Sequence, residues 1–117
     1  TRGVALRGIT GHLVDIECHV GRGLPAFDIS GLPDAALRQA PQRVRAASIS
    51  AGFSLTPQLT VNLSPASIPK HGTGFDLGIA VAVLAACEEL PAALVRPVVH
   101  LAELGLDRGA FYVTNAV

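Results

Sequence analysis

The stretch His12-Leu13-Val14-Asp15-Ile16-Glu17-Cys18-His19-Val20 decides how this chain folds. From Val14 onward it alternates: Val14, Ile16, Cys18 and Val20 fall on one face, and Asp15, Glu17 and His19 on the other. A period of two with one wet face is the mark of a strand whose sheet is buried on one side. Residues 3–9 precede it with a looser alternation through Val4 and Leu6, and Gly11 marks a turn. The two runs therefore read as a β-hairpin.

Working outward, residues 21–25 carry Gly, Arg, Gly, Leu and Pro and form a loop, and 26–30 give a short third strand. Gly31-Leu32-Pro33-Asp34 starts a helix, with Pro33 at its first position and Asp34 near its positive end. Leu37, Ala40, Val44, Ala47 and Ala51 follow at steps of three and four, the spacing of a buried helix stripe. Pro41 deletes a backbone donor inside that helix, so a kink or break is expected at residues 39–41, and Gly52 ends it. Residues 58–64 alternate as a strand, and 65–74 form a Pro/Gly loop. A second helix, rich in Ala, starts at Phe75 or Asp76 and runs to about Leu90. Residues 91–97 connect it to an apolar strand at 98–106. Asp107-Arg108-Gly109 then turns the chain into a last strand at 110–114. The fold class is α/β: a two-layer sandwich of one mixed sheet and two main helices.

Composition narrows the function. The chain has 117 residues, 9 basic and 9 acidic side chains, and is 50% hydrophobic with 15% charged. That is one domain (1–117), not a disordered segment. Zero net charge argues against nucleic-acid binding by bulk positive charge. No run reaches the ~18 apolar residues of a membrane span, so no membrane contact is expected. Cys18 and Cys87 read as two buried thiols in a reducing, cytoplasmic setting. Met is absent, position 1 included, so the chain is expected to be a piece of a longer protein.

Several chemistries are missing outright. The sequence has no Walker A loop, nucleophile elbow, HExxH or paired CxxC. On an extended strand Asp15 and His19 stand ~13 Å apart, too far for one metal ion. Glu17 and His19 could share one only loosely, so that face is expected to be solvated, and His100 to be a hydrogen-bonded strand histidine. The loop from Ser64 to Gly74 holds Lys70, the only lysine of the chain, with Ser67 close by. A Ser–Lys hydrolase would need that amine buried and within reach of the hydroxyl. The competing expectation is a surface lysine on a loop whose backbone shape is what matters. Thr73 is a candidate helix cap, and the helix start at Phe75 a candidate phosphate holder. Arg38, Arg43 and Arg45 form a basic side of the first helix, a candidate DNA or partner contact.

Four ordered segments carry a resemblance. They are Gly23-Leu24-Pro25-Ala26-Phe27 with Gly31-Leu32-Pro33-Asp34-Ala35-Ala36; Arg43-Val44-Arg45-Ala46-Ala47; Leu59-Thr60-Val61-Asn62-Leu63-Ser64-Pro65-Ala66 leading through Pro69-Lys70 and Gly72 to Gly74-Phe75-Asp76-Leu77; and Leu101-Ala102-Glu103-Leu104-Gly105-Leu106-Asp107. Together they resemble the N-terminal domain of the magnesium-chelatase-like ComM/YifB family over nearly the whole chain. Asn62, Pro65, Lys70, Gly72, Gly74 and Asp76 are the motif residues of the central loop. Ala26 and Ala102 stand where that family has Gly, Pro41 is unexpected, and the tail from Ala110 departs from the pattern.

The resemblance implies a Lon-protease-like fold, also called ribosomal protein domain 2-like. It implies an accessory domain ahead of an AAA+ ATPase module in a hexameric ring, a bacterial motor for DNA branch migration in natural transformation. The implied partners are that module, neighbouring subunits of the ring and DNA. ATP and Mg would serve the parent, and no cofactor or metal is expected in the chain itself. Laid on the Lon-type loop, the nucleophilic Ser position falls on Gly74. The Lon lysine belongs to the segment near Val117, and no Lys follows Lys70. The resemblance therefore implies a domain without catalysis, the alternative being a peptidase or amidase built on Ser67 or Ser64 with Lys70.

Overall fold

A computed structural model describes residues 1–7, 10–105 and 112–113. The hairpin forms: β1 (Arg2–Arg7) and β2 (Thr10–Gly21) pair antiparallel, with Gly3 opposite Val14, and the turn expected at Gly11 is corrected, because Gly11 lies within β2 opposite Leu6. Val14 and Ile16 are buried and Asp15, Glu17 and His19 exposed, but the dry face fades toward the strand end, where Cys18 is half-buried and Val20 exposed. Strand β4 (Gln58–Ser64) lies antiparallel to β2, and β3 (Ala26–Ser30) runs parallel to β4, so the sheet order is β1-β2-β4-β3.

The first helix breaks where Pro41 demands it. Helix α1 (Ala35–Arg38) stops at Gln39, which also opens α2 (Ala40–Ser50). Pro41 then sits in the first turn of α2, where its missing N–H leaves no bond unmade. Asp34, not Pro33, is the residue that starts α1: its carboxylate accepts the Leu37 N–H at 2.8 Å. Helix α3 (Asp76–Ala86) ends four residues before the expected Leu90, and α4 (Ala92–Val95) fills the connection.

The helices lie on one face of the sheet. Leu37, Ala40, Val44 and Ala47 from α1 and α2, with Ile79, Ala80 and Val83 from α3, meet Val14, Ile16, Leu59, Val61 and Leu63 in one core. Full burial of each Leu, Ile or Val there is worth about 1.5–3 kcal/mol. At the crossover from β3 to α1, Gly31 has φ +106° and lies against β4. A Cβ on it would stand 2.1 Å from the Leu63 carbonyl oxygen. Only glycine satisfies both demands.

The α/β class and a mixed sheet of four strands stand, but a second sheet accompanies it, and the strand at 98–106 is corrected. Val99 makes one isolated bridge to Arg2. Among the described residues of that run, only β5 (Leu104–Gly105) is strand, and it pairs antiparallel with β6 (Tyr112–Val113) in a separate two-stranded sheet. Residues 98–102 bind two neighbours in turn: His100 N–H bonds the Arg2 carbonyl at 2.8 Å, and Ala102 N–H that of Gly74 at 3.0 Å. The expected turn at Asp107-Arg108-Gly109, the end of the first strand at 8–9 and the implied Lon lysine segment near Val117 lie outside the described residues.

Candidate functional site

The loop between β4 and α3 is a stapled structure, and interior charges make the staples. Lys70 is fully buried, so the surface-lysine expectation is corrected. Its ammonium donates to the backbone carbonyls of Leu63, at 3.4 Å, and Pro65. Burial holds its pKa below the ordinary lysine value. The Lys70 backbone is committed as well. Its N–H donates to the Leu32 carbonyl at 3.0 Å, and its carbonyl accepts the Asp34 N–H at 2.9 Å.

Asp34 closes the same staple from the other side. One carboxylate oxygen caps α1, and the other accepts the Gly72 N–H at 3.0 Å. Burial would raise this carboxyl. The two N–H bonds, with His71 and Arg38 nearby, outweigh that and hold it below the usual range. Asn62 links the strands beneath: it accepts from the Ser30 hydroxyl at 2.9 Å and donates to that of Ser64 at 3.2 Å. The Ser64–Pro65 peptide bond is cis.

A buried ion pair lies at the far end of the loop. Asp76, wholly buried in the first turn of α3, is gripped by Arg43 from α2 at 2.7 and 2.9 Å. Arg43 also donates to the Ala36 carbonyl at 3.1 Å, and Asp76 accepts the Leu104 N–H at 3.3 Å. The bond to Asp76 raises the Arg43 pKa. Burial raises that of Asp76 against the pull of the guanidinium. The bidentate fork ties α2, α3 and β5 into one unit.

The other candidate residues are scattered. Ser67 is exposed at the loop tip, while the Lys70 ammonium is held inside by carbonyls. A Cβ on Gly74 would come 2.8 Å from Leu101 Cδ1. The cap expected of Thr73 is corrected: α3 has no side-chain cap, and Thr73 accepts the Asp76 N–H through its backbone carbonyl, at 3.1 Å. With the Leu77 N–H bound to the Ala102 carbonyl and the Asp76 carboxylate in place, that helix end has little to offer a phosphate. His100 is corrected too: its Nε2 is buried with no hydrogen-bond partner among the described residues, and burial lowers its pKa. The thiols Cys18 and Cys87 are free and half-buried. Burial and the neighbouring Cys87 push Cys18 up to about 12.

The three arginines part company. Arg43 turns inward to Asp76 with its side chain 15% exposed. Arg38 and Arg45 line a surface groove of about 610 Å3 beside β3, with Phe27 and Gln42. The Arg45 guanidinium stacks 5.6 Å above the Phe27 ring. Sequence reasoning missed the Arg43–Asp76 pair. Its signal was a lone carboxylate opening an otherwise apolar helix, which needs a buried cation.

Fold and site together define a class: a one-sided α/β domain whose strand-to-helix loop is fixed by interior charges. The family model for subunit ChlI of Mg-chelatase matches residues 16–116. Competence protein ComM of Haemophilus influenzae is 42% identical over 97% of this chain and 23% of its own length. An uncharacterised protein of Mycobacterium tuberculosis is 44% identical over 89% and 21%, and the uncharacterised protein YifB of Salmonella typhimurium 40% over 97% and 22%. The chain belongs to the magnesium-chelatase-like ComM/YifB family, and it spans about a fifth of the length of these curated relatives.

Proposed function

We propose that the chain is a non-catalytic N-terminal accessory domain of a magnesium-chelatase-like AAA+ ATPase, with a Lon-protease-like fold. Its work is contact: with its own ring, with DNA or with a partner protein. ATP and Mg act in the parent, and DNA branch migration is the activity such a parent would carry. Family membership and the small share of each relative's length support this reading.

One observation carries the absence of catalysis. At Gly74, the position that answers to the Lon-type serine, there is no side chain, and Leu101 fills the space where one would start. The alternative, a peptidase or amidase on Ser67 or Ser64 with Lys70, draws support from the depressed pKa of a buried amine. Against it, that amine is already bound to two carbonyls, the Ser67 hydroxyl sits at an exposed tip, and the Ser64 hydroxyl accepts from Asn62 and not from Lys70. A fluorophosphonate probe tests the choice. No labelling is expected; stoichiometric labelling lost in Lys70→Ala would overturn the non-catalytic reading.

A further inference from the structure

The two edges of the main sheet differ. The outer edge of β1 is met by residues 98–100, through the Val99 bridge and the His100 N–H. Strand β3 ends the sheet on the other side, and among the described residues no backbone bonds it there. An open edge is a template for an added strand.

Three features equip this edge. A Gly-Leu-Pro tripeptide stands at each end of β3, and both leucines face water: Leu24 is 85% exposed and Leu32 54%. Leu32 is held in the left-handed region at φ 59°, with its carbonyl bound by the Lys70 N–H. Strain of that kind in a non-glycine residue persists only where the surroundings enforce it, and it is common at ligand clamps. Third, the groove alongside is cationic. Arg38 and Arg45 line it, no carboxylate does, and the strand alternation sends Asp28 to the opposite face from Phe27.

We infer that β3 and its groove take an extended, acidic segment of a partner protein, added as a strand beside β3. Main-chain bonds to the open edge give affinity, Leu24 and Leu32 meet apolar side chains of the segment, and its carboxylates pair with Arg38 and Arg45. The inference rests on the contact role proposed above and names the partner. Nucleic acid fits less well: it cannot use the open backbone edge or the leucines, and the one aromatic ring in the groove is already covered by Arg45.

Selection of displayed random dodecapeptides on the 117-residue chain tests it, with a single-stranded oligo-dT as the competing probe. Enriched peptides should carry carboxylates and apolar residues. They should slow hydrogen exchange at residues 26–30, and bind about ten-fold more weakly to Arg38→Glu with Arg45→Glu. Arg38→Glu alone, at an exposed position that leaves the Arg45–Phe27 stack intact, should show a smaller loss in the same direction and guards against a folding defect from the lost stack. Backbone N-methylation of the peptide should also weaken binding, which a purely electrostatic contact would not show. Peptides that ignore these changes, an absence of acidic binders, or preference for oligo-dT would overturn the inference. A chain that binds no peptide but also resists the fluorophosphonate probe loses this inference and keeps the non-catalytic reading.

Discussion

Arg43 and Lys70 are both cations drawn out of water, 27 residues apart in sequence, and the fold treats them in opposite ways. Arg43 meets a buried carboxylate in a two-pronged grip. Lys70 meets only main-chain oxygen. In the first case each charge offsets the cost of burying the other. In the second, a positive charge is neutralised by dipoles alone, which leaves the amine short of full compensation and depresses its pKa. The paired charge locks helices to each other; the solitary one shapes a loop.

Substitutions sharpen that difference, and the paired charge should give the larger effect. Asp76→Ala strands the Arg43 guanidinium and should destabilise by about 3–5 kcal/mol in denaturant unfolding. Arg43→Met with Asp76→Leu removes both charges and should cost less than Asp76→Ala alone. A double change as damaging as the single one would mean the pair is not a coupled unit.

Lys70→Met comes next, at about 1–3 kcal/mol near neutrality, because two carbonyls lose their donor while an uncompensated charge is removed. Its pH dependence has a definite sign. The folded chain binds the Lys70 proton less tightly than the unfolded chain does. Wild-type stability therefore gains from this group as pH rises toward the ordinary value of 10.5, and not below the folded pKa. The gap between wild type and Lys70→Met should widen over that window; a constant gap would show that the ammonium pays no penalty inside. The smallest effect belongs to Asp34→Ala, about 1 kcal/mol for a lost helix cap. The Asp34 carboxyl is held low in the fold. Its contribution is present above the ordinary value of 3.8 and fades as pH falls through the folded pKa, so this gap should close in acid.

How far the sequence revealed these features follows from the range of the interactions. The hairpin was legible because its wet and dry faces alternate within a few residues, and the α1–α2 break because Pro41 acts on its own turn. The run at 98–106 misled. It touches the edge of β1 only at one bridge, through Val99, and then turns to bind the start of α3, and apolarity alone does not separate those uses. Of the site, the unusual loop around Lys70 stood out, but not the burial of its amine. A lysine between Pro69 and His71 has no local feature that says which way it points. The Arg43 partner lies 33 positions away, beyond any local pattern.

Gly31 gives the architecture a single point of passage. The chain leaves the sheet there by slipping past the main chain of β4, the strand that both β2 and β3 share. A side chain introduced at this crossing would displace the common neighbour of both, so the injury could not stay local. Descent with modification has many ways to repaint the surfaces of such a domain, but this gateway leaves it one residue.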